Sequence, residues 1–354
     1  MSPTLQFRTV YQTLLMFVVI FIFSGIVVAD TKLAIMTGDW NNASIWSPAV
    51  VPVSGDSVVI KSDNGSPITV TVTVGNITID ALVIDANGVG SILEITNDRS
   101  LSVARNIENY SDFSSDGSIS LGGNWMNTGT FTATGNTVTF NGVGTNQTID
   151  NTTFNNLTIN KTSGTVTLAG AINIIGNLTL TSGTLDLSSF TIGRQSLGGT
   201  FTVSNNANLK IGGTNTFPSN YQTVSLGTTS NIEYNGGATQ TIARYSTSPN
   251  GAITYGNLIL SGTGTKTSAD SITVAGNIII NAVTFSGQSN KTHKIGGNWT
   301  LSNGGTYNGQ YTNNTVVFNG SGDQQISGGT FRNFTVSKTG TLSLSGNVSV
   351  KAVT

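Results

Sequence analysis

The chain has 354 residues, of which only 9% are charged, and its formal net charge of −1 excludes the basic surface that attracts nucleic acids or anionic membranes. Cysteine is absent, which excludes disulfides, thiolate catalysis and cysteine-bound metals. Disordered chains combine low hydrophobicity with high net charge, whereas 37% of these residues are hydrophobic, so we expect a packed core.

The N-terminal residues 1–29 predict a signal peptide. Arg8 precedes an apolar run from Leu14 to Ala29, which ends in small residues before Asp30. This run is shorter than the roughly 20 residues that span a bilayer. An uncleaved N-terminal anchor helix is the alternative. We expect a secreted protein, extracellular or on the outer cell surface, with no membrane span once the signal peptide is removed.

Residues 30–118 predict an N-terminal cap and the first coils, because a solenoid must cover its first coil with an atypical unit. This region holds most of the carboxylates of the chain and few clear repeats. The segment from Ile68 to Val74 alternates apolar residues with threonine, which predicts a strand with Val70, Val72 and Val74 on one side. Tryptophan, proline and aspartate crowd the start of the region: Trp40, Trp46, Pro48, Pro52 and Asp56.

Residues 119–354 predict a repeat β-helix, because one pattern recurs near residues 121–200, 211–290 and 295–354. Each copy opens with an aromatic residue before Asn-Gly and continues with Gln, a second aromatic residue and two Asn-apolar pairs. The interval between the first two opening aromatic residues is longer than that between the second and the third, and such unequal spacing suits a solenoid whose turns lengthen outward. The matched residues are Phe140, Gln147, Phe154, Leu157 and Leu178 in the first copy, Tyr234, Gln240, Tyr255, Leu258 and Ile278 in the second, and Phe318, Gln324, Phe331, Phe334 and Val348 in the third.

The inner spacing of the first copy indicates the size of one coil. Val138, Leu157, Leu178 and Phe201 follow one another at steps of about 20 residues, which fits a parallel β-helix better than a propeller blade. We predict an all-β fold, a right-handed parallel β-helix (β-solenoid) of about 14 coils, with asparagines stacked in ladders at the turns. A stacked β-sandwich array is the alternative, although it leaves the step of about 20 residues unexplained.

Short segments of the opening and of the repeats are similar to those of a known class of proteins. Gly38-Asp-Trp40, Trp46-Ser-Pro48, Phe154-Asn-Asn-Leu-Thr-Ile159 and Ser182-Gly-Thr-Leu185 resemble segments of secreted repeat β-helix surface proteins of the Bacteroidetes type. The resemblance covers most of residues 38–354. It implies a β-helix at the cell surface, an adhesin-like role and type IX secretion. That route implies a C-terminal sorting domain, which the sequence does not display, so we expect either a fragment or an anchor elsewhere.

The repeat region offers few groups for catalysis, and we predict no catalytic residues, no cofactor and no metal site. Glycoside hydrolysis requires two carboxylates about 5–9.5 Å apart. The carboxylates beyond residue 120 are each more than one coil step from the next and share no repeat position. The single histidine, His293, has no acid or nucleophile beside it in the sequence, which favours a surface or turn position. The carboxylates in question are Asp150, Asp186, Glu233, Asp270 and Asp323.

Two weaker patterns have ordinary explanations that we prefer. Asp112, Ser114 and Asp116 stand at positions 1, 3 and 5 of a calcium loop, but Gly123 occupies position 12, where a bidentate glutamate is expected. Turn formation explains this segment better. Threonines 69, 71 and 73 would line one outer face, and flat threonine arrays can order water or ice. The pattern does not recur at a constant coil position in the sequence, so β-propensity on a solvent face is the better explanation.

The aromatic residues leave one question open. Phe140, Tyr234 and Phe318 each follow Val or Ile two residues earlier, which predicts that they stack in the core rather than form a carbohydrate-binding strip. Gly-Gly-Asn-Trp occurs ahead of the first and third copies, at Trp125 and Trp299. These two tryptophans either belong to the core or are exposed and stack on a sugar.

The sequence therefore favours an extracellular or cell-surface structural or adhesive β-helix rod without catalytic activity. The alternative is a polysaccharide-binding or polysaccharide-cleaving β-helix protein. An outer groove lined with aromatic residues and paired acids would support that alternative. The expected partner is a surface polysaccharide or another surface protein, and no nucleic acid is expected.

Overall fold

The computed structural model describes residues 30–62, 65–85, 90–243 and 253–351, and the predicted signal peptide at residues 1–29 lies outside them. The described residues form strands that stack in parallel into a solenoid of about 13 turns. This architecture confirms the predicted all-β parallel β-helix. The stacked β-sandwich alternative is wrong, because the strands of the repeats pair in parallel with strands about one coil away in the sequence.

The strands of the described residues are numbered β1 to β40 in chain order, and a 3-10 helix spans Ala43–Ile45. The first seventeen are β1 (Thr31–Ala34), β2 (Gly38–Asp39), β3 (Trp46–Ser47), β4 (Ser57–Ile60), β5 (Ile68–Val72), β6 (Asn76–Ile79), β7 (Ala81–Ile84), β8 (Ser91–Ile95), β9 (Ser100–Val103), β10 (Ile107–Asn109), β11 (Asp112–Ser115), β12 (Ser118–Leu121), β13 (Trp125–Asn127), β14 (Thr130–Ala133), β15 (Thr137–Phe140), β16 (Gln147–Ile149) and β17 (Thr152–Phe154).

The remaining strands are β18 (Asn156–Leu168), β19 (Ile172–Ile174), β20 (Leu178–Asp186), β21 (Ile192–Val203), β22 (Asn208–Ile211), β23 (Ser219–Leu226), β24 (Asn231–Tyr234), β25 (Gln240–Ile242), β26 (Thr254–Tyr255), β27 (Asn257–Leu260), β28 (Thr265–Ser268), β29 (Thr273–Val274), β30 (Ile278–Asn281), β31 (Thr284–Ser286), β32 (Thr292–Ile295), β33 (Trp299–Ser302), β34 (Thr306–Gly309), β35 (Thr315–Phe318), β36 (Gln324–Ile326), β37 (Gly329–Phe331), β38 (Asn333–Val336), β39 (Leu342–Leu344) and β40 (Val348–Val350).

Each turn of the solenoid passes through three faces, which we call the first, second and third face in chain order. The first face contains β1, β4, β7, β10, β13, β16, β22, β24, β27, β30, β33, β36 and β39. The second contains β2, β5, β8, β11, β14, β17, β19, β25, β28, β31, β34, β37 and β40, and the third contains β6, β9, β12, β15, β26, β29, β32, β35 and β38. The long strands β18 and β20 run from the third face onto the first, and β21 and β23 run from the second onto the third.

Alternate side chains of each strand point inward and form columns that run along the solenoid. Val138, Leu157, Leu178 and Phe201 are direct partners on neighbouring strands and are fully buried, which confirms the predicted coil step of about 20 residues. Burial of one such side chain contributes about 1.5–3 kcal/mol, which offsets the conformational entropy lost when a coil is ordered. The core is therefore a continuous stack of columns rather than a globular centre.

The first turn is built differently from the later ones. β1 pairs with β3 in antiparallel orientation and with β4 in parallel orientation. Trp40 and Trp46 are buried in contact, with ring centroids 4.9 Å apart, and the Trp46 indole donates a hydrogen bond to the Trp40 carbonyl at 2.8 Å. Val74 lies beyond the end of β5 and is half exposed, so the alternation that places Val70 and Val72 inside stops before it.

The three sequence copies do not occupy the same faces. Phe140 and Phe318 both lie on the third face, whereas Tyr234 lies on the first, so the second copy is advanced by one face. The last match of the third copy is wrong, because Val348 lies on the second face and its predicted counterpart Leu178 lies on the third. The chain between the copies differs in length, so the second copy begins one face later. Its apolar side chains still point inward and continue the same columns.

The glutamine of each copy closes a corner from inside. Gln147 is buried, its side-chain oxygen accepts a hydrogen bond from the Gly142 amide at 3.1 Å, and its side-chain nitrogen donates to the Leu121 carbonyl of the preceding coil at 3.1 Å. Buried backbone groups need such partners, because an unsatisfied one costs about 1–3 kcal/mol. The same bonds join Gln240 to Gly236 and Ile211, and Gln324 to Gly320 and Ile295.

Turn asparagines form the predicted ladders between coils. The side-chain oxygen of Asn257 accepts from the Asn277 amide at 2.8 Å, that of Asn277 accepts from the Asn298 amide at 2.8 Å, and that of Asn298 accepts from the Gln325 amide at 2.9 Å. Each asparagine thus satisfies a turn amide of the next coil. The side-chain nitrogen of Asn257 also donates to the side-chain oxygen of Asn231 on the preceding coil, at 3.0 Å.

Candidate functional site

The aromatic residues of the repeats face the interior. Phe140, Tyr234 and Phe318 are fully buried, which confirms that they belong to the core. Trp125 and Trp299 are also fully buried. An indole must be accessible to stack on a sugar ring, so the hypothesis of a sugar-stacking site at these two tryptophans is wrong.

The histidine lies inside the solenoid, so the prediction of a surface or turn position is wrong. His293 on β32 is fully buried, and its Nε2–H donates to the Gly287 carbonyl at 2.9 Å. The Asn314 amide donates to the same carbonyl at 2.8 Å, and its oxygen accepts from the Tyr307 hydroxyl at 2.6 Å. Burial lowers the pKa of His293 to about 4, so the ring is neutral at pH 7. The group is an interior polar cluster.

Two carboxylates of the repeat region share an outer column of the first face, which corrects the expectation that no pair shares a repeat position. Asp186, Lys210 and Glu233 are direct partners on three successive coils. Two strand spacings separate the carboxylates by about 9–10 Å along the stack. Lys210 stands between them in the column, and its Nζ lies 3.5 Å from the Glu233 carboxylate, which also accepts from Ser261 Oγ at 2.6 Å. Glu233 is thus held by an ion pair, and a lysine separates it from Asp186 along the stack.

The other three carboxylates lie apart and have individual partners. Asp150 accepts a hydrogen bond from the Asn127 amide at 3.2 Å. Asp270 pairs with Lys291 at 3.1 Å. Asp323 accepts from the Thr341 amide at 2.8 Å, which is a turn contact between neighbouring coils. These carboxylates thus tie coils together.

The segment that matched part of a calcium loop is mostly a strand. Asp112 to Ser115 form β11, in which Asp112 is exposed, Ser114 is half-buried and Ser115 is buried and donates to the Gly117 carbonyl at 2.8 Å. The oxygens at positions 1 and 3 therefore lie along an extended chain instead of converging on one point. Within the described ranges, no group of three or more His, Asp or Glu side chains is placed to hold a metal ion.

Comparison with known proteins does not identify a family. The chain matches no family model, no curated protein and no solved structure. In the part of the chain that the structure describes, no helix is long and apolar enough to cross a membrane. The functional argument therefore depends on this chain's own surface.

A groove lies where the third face turns into the first. It has a volume of about 580 Å³ and crosses the successive corners 104–106, 122–124 and 141–146. Gly122 and Gly123 line the groove, and neither position has room for a side chain, because a Cβ at either glycine would come within 2.4 Å of the preceding coil's backbone. The longer corner 141–146 projects further than its neighbours and forms one wall. Its tip, Val143, is 74% exposed.

The groove combines amide donors with one carboxylate. Asn106 and Asn124 each use the side-chain oxygen to accept the amide of the next coil, both at 2.9 Å, which leaves their side-chain nitrogens at the groove lining. Arg105 pairs with Asp80, and Glu108 accepts from the Tyr110 hydroxyl at 3.1 Å. The Arg105 and Asp80 charges cancel, so the lining carries the single negative charge of Glu108. Such a lining suits hydroxyl-rich, uncharged ligands.

Sequence reasoning missed both the groove and the interior cluster. The groove forms only because a longer corner stacks on two short ones, and no linear pattern shows which corners become neighbours. The histidine did have a signal, since His293 and Ile295 alternate in phase along one strand. That alternation predicts an inward histidine.

Proposed function

We propose that this chain is an extracellular or cell-surface structural or adhesive rod that presents a binding surface and catalyses no reaction. The observation that carries the proposal is that the residues shared by the repeats serve to hold the coils together. Glutamines, aromatic residues and the histidine are turned inward, where they join one coil to the next. About 13 turns at a strand spacing of about 4.8 Å make a rod roughly 60 Å long. Its surface location is supported by the signal-peptide pattern and by the resemblance to secreted repeat β-helix surface proteins.

The adhesive contact that we propose is the corner groove, and its partner is a neutral surface polysaccharide. Sugar hydroxyls both donate and accept, which matches the amide nitrogens of Asn106 and Asn124 beside the Glu108 carboxylate. Strand addition by a peptide would need free backbone amides. The amides of Arg105, Gly122 and Gly123 are already bonded to neighbouring coils.

The test uses the full chain expressed in cells, purified in the form that those cells export. Retention on neutral and acidic polysaccharides is measured, together with the release of new reducing or unsaturated ends. We expect retention on a neutral polysaccharide without new ends. New ends would contradict the proposal and direct attention to Asp186 and Glu233. A chain that stays in the cytoplasm would contradict the proposed location.

A matched pair of variants tests the groove. Val143→Ser combined with Glu108→Gln removes the apolar tip and the carboxylate, and we expect at least about tenfold weaker retention. Ser321 holds the place of Val143 in the third copy, also between Asn-Gly and Gly, so Ser321→Val is the control and should leave retention unchanged. Equal retention by all three proteins would place the contact elsewhere on the rod.

A further inference from the structure

Two columns of hydroxyl and amide side chains cover the outer side of the third face over eight consecutive coils. The parallel register aligns them, because every strand of this stretch presents the same two outward positions, two residues apart. One column is Thr78, Ser102, Ser120, Thr139, Thr158, Thr179, Thr202 and Ser225. The other is Asn76, Ser100, Ser118, Thr137, Asn156, Asn177, Thr200 and Thr223. A recurrent hydroxyl pattern is therefore present, although on other strands than the threonines 69, 71 and 73 of β5 and its following turn.

The threonines of β5 do not extend in this way. Thr71 has Glu94 as its partner on the next coil, so a charge interrupts that column after one step. The third face lacks such interruptions from β6 to the end of β23: none of its sixteen outward residues is charged or aromatic. The pattern ends at β32, because Lys294 and then Val317 take the outward position that Thr254 and Thr273 hold on β26 and β29. The array is thus confined to one face and one part of the solenoid.

The two columns form a regular lattice. Neighbours in a column are one strand spacing apart, about 4.8 Å, and the two columns are two residues apart along the strand, about 6.7 Å. Branching at Cβ restricts threonine to few χ1 rotamers, so its hydroxyl and methyl groups hold fixed positions. A regular lattice of this kind can match an ordered layer of water.

The hydroxyls of the column that begins at Thr78 are little used among the described residues. One side-chain hydrogen bond between its members is present, from Ser120 Oγ to Ser102 Oγ at 3.1 Å. The other hydroxyls of that column are available to bind water. Waters held at regular points, with threonine methyl groups between them, form a layer that a crystal can continue.

We propose that the third face between Asn76 and Ser225 binds ice. A charged side chain would orient water around itself and disturb the lattice, and neither column contains one. Asp98, Arg99 and Asp116 lie beside the first coils of the column that begins at Asn76, where they line a pocket with four of its members. Binding to a crystalline polysaccharide is the competing possibility, but that recognition draws on aromatic faces, which this array also lacks. The activity would be separate from adhesion through the corner groove, which lies at the edge between the third and first faces.

Two substitutions on the same strand test the proposal. Thr158→Lys puts a lysine in the middle of the array, as Lys294 does naturally beyond it. Thr167→Lys introduces the same residue at a half-buried outward position of β18 on the first face and is the matched control. Circular dichroism and thermal unfolding establish that both variants fold.

Thermal hysteresis and inhibition of ice recrystallisation are measured on the exported form of the full chain. We expect the parent protein and Thr167→Lys to show both effects equally, and Thr158→Lys to lose them. Absence of both effects in the parent protein would overturn the proposal, as would equal loss in the two variants. Retention on crystalline cellulose or chitin without any effect on ice would assign the array to polysaccharide instead. Neither result bears on retention through the groove, which Val143→Ser and Glu108→Gln test separately.

Discussion

The coils around Trp125 and the coils around Trp299 place large side chains at matching positions. The Trp125 ring meets Phe131 edge to face at 4.8 Å, and the Trp299 ring meets Tyr307 edge to face at 4.9 Å. Each tryptophan follows Gly-Gly-Asn at the same corner, where there is no space for a Cβ on either glycine. The matched sets are Phe113, Ile119, Trp125, Phe131, Asn136 and Phe154 in the first region, and Phe285, His293, Trp299, Tyr307, Asn314 and Phe331 in the second.

The two regions differ in how they satisfy one shared asparagine. Asn314 contacts Tyr307, Gly287 and His293, so both ends of its amide group are used. Asn136 is equally buried, but Phe131 and Ile119 replace the tyrosine and the histidine, and neither end of its side-chain amide has a partner among the described residues. The comparison shows that the contribution of a buried polar residue to the stability of a solenoid depends on the side chains one coil away.

The largest expected effect tests whether the two tryptophans contribute equally to the stability of the solenoid. Trp125→Ala and Trp299→Ala should each lower the free energy of unfolding by about 3–5 kcal/mol, because each leaves a large cavity. Trp125→Phe should cost about 1 kcal/mol more than Trp299→Phe. The Trp125 indole donates to Thr152 Oγ1 at 3.0 Å, whereas the buried Trp299 indole nitrogen lacks a partner in the described structure. Guanidinium denaturation followed by circular dichroism measures both differences, and equal costs for the two phenylalanine variants would refute the distinction.

The second prediction concerns pH and only the Trp299 region. The pKa of His293 is about 4 in the folded state and about 6.5 in the unfolded chain, so between these values the unfolded state binds more protons. The stability due to the neutral ring is complete above pH 6.5 and falls by roughly 3 kcal/mol as the pH drops to 4. Nearby charges are Lys291 and Asp270. His293→Ile, which copies Ile119, should remove this component of the pH dependence of urea denaturation, and an unchanged profile would contradict the assignment.

The third prediction is that the same substitution changes stability in opposite directions in the two regions. Asn314→Leu should destabilise the protein by about 2 kcal/mol, because it leaves the Tyr307 hydroxyl and the Gly287 carbonyl with fewer partners. Asn136→Leu removes two unpartnered polar atoms and should be neutral or stabilising. Thermal unfolding of the two variants beside the parent protein measures the difference. A comparable loss in both would mean that Asn136 has partners too, such as bound water.

The smallest effect concerns the lysines that follow the corner glutamines. Lys161 is buried and its Nζ donates to the Gly142 carbonyl at 2.6 Å and to the Gln147 side-chain oxygen at 2.7 Å. Lys338 is half-buried and donates to two exposed carbonyls. Lys161→Met should cost about 1–2 kcal/mol and Lys338→Met less than about 0.5 kcal/mol. Equal shifts of the denaturation midpoint in the two variants would contradict the prediction that the buried lysine contributes more to stability than the half-buried one.

Several particular residues show what the sequence could predict. One inward column was predictable, because it repeats once per coil and needs only regular spacing. Its members are Val138, Leu157, Leu178 and Phe201. The placement of Asp186 beside Lys210 and Glu233 was not, because it requires the lengths of two intervening turns. Half of one hydroxyl column was predictable in the same way, because Thr139, Thr158, Thr179 and Thr202 each directly follow one of these four core residues. Whether Trp125 and Trp299 are exposed could not be predicted, because alternation along a strand defines two sides and does not show which of them faces the core.

The sequence by itself determined the class of fold and the size of its repeating unit. Alternation along short strands, turn residues between them and a recurrence of about 20 residues depend only on local geometry, which is shared by every coil. The tertiary structure alone decided which coils are neighbours, because insertions at the corners change the register without disturbing the columns. The one-face advance of the second copy, the groove at corner 141–146 and the cluster around His293 all arise from that choice, since each joins side chains from different coils.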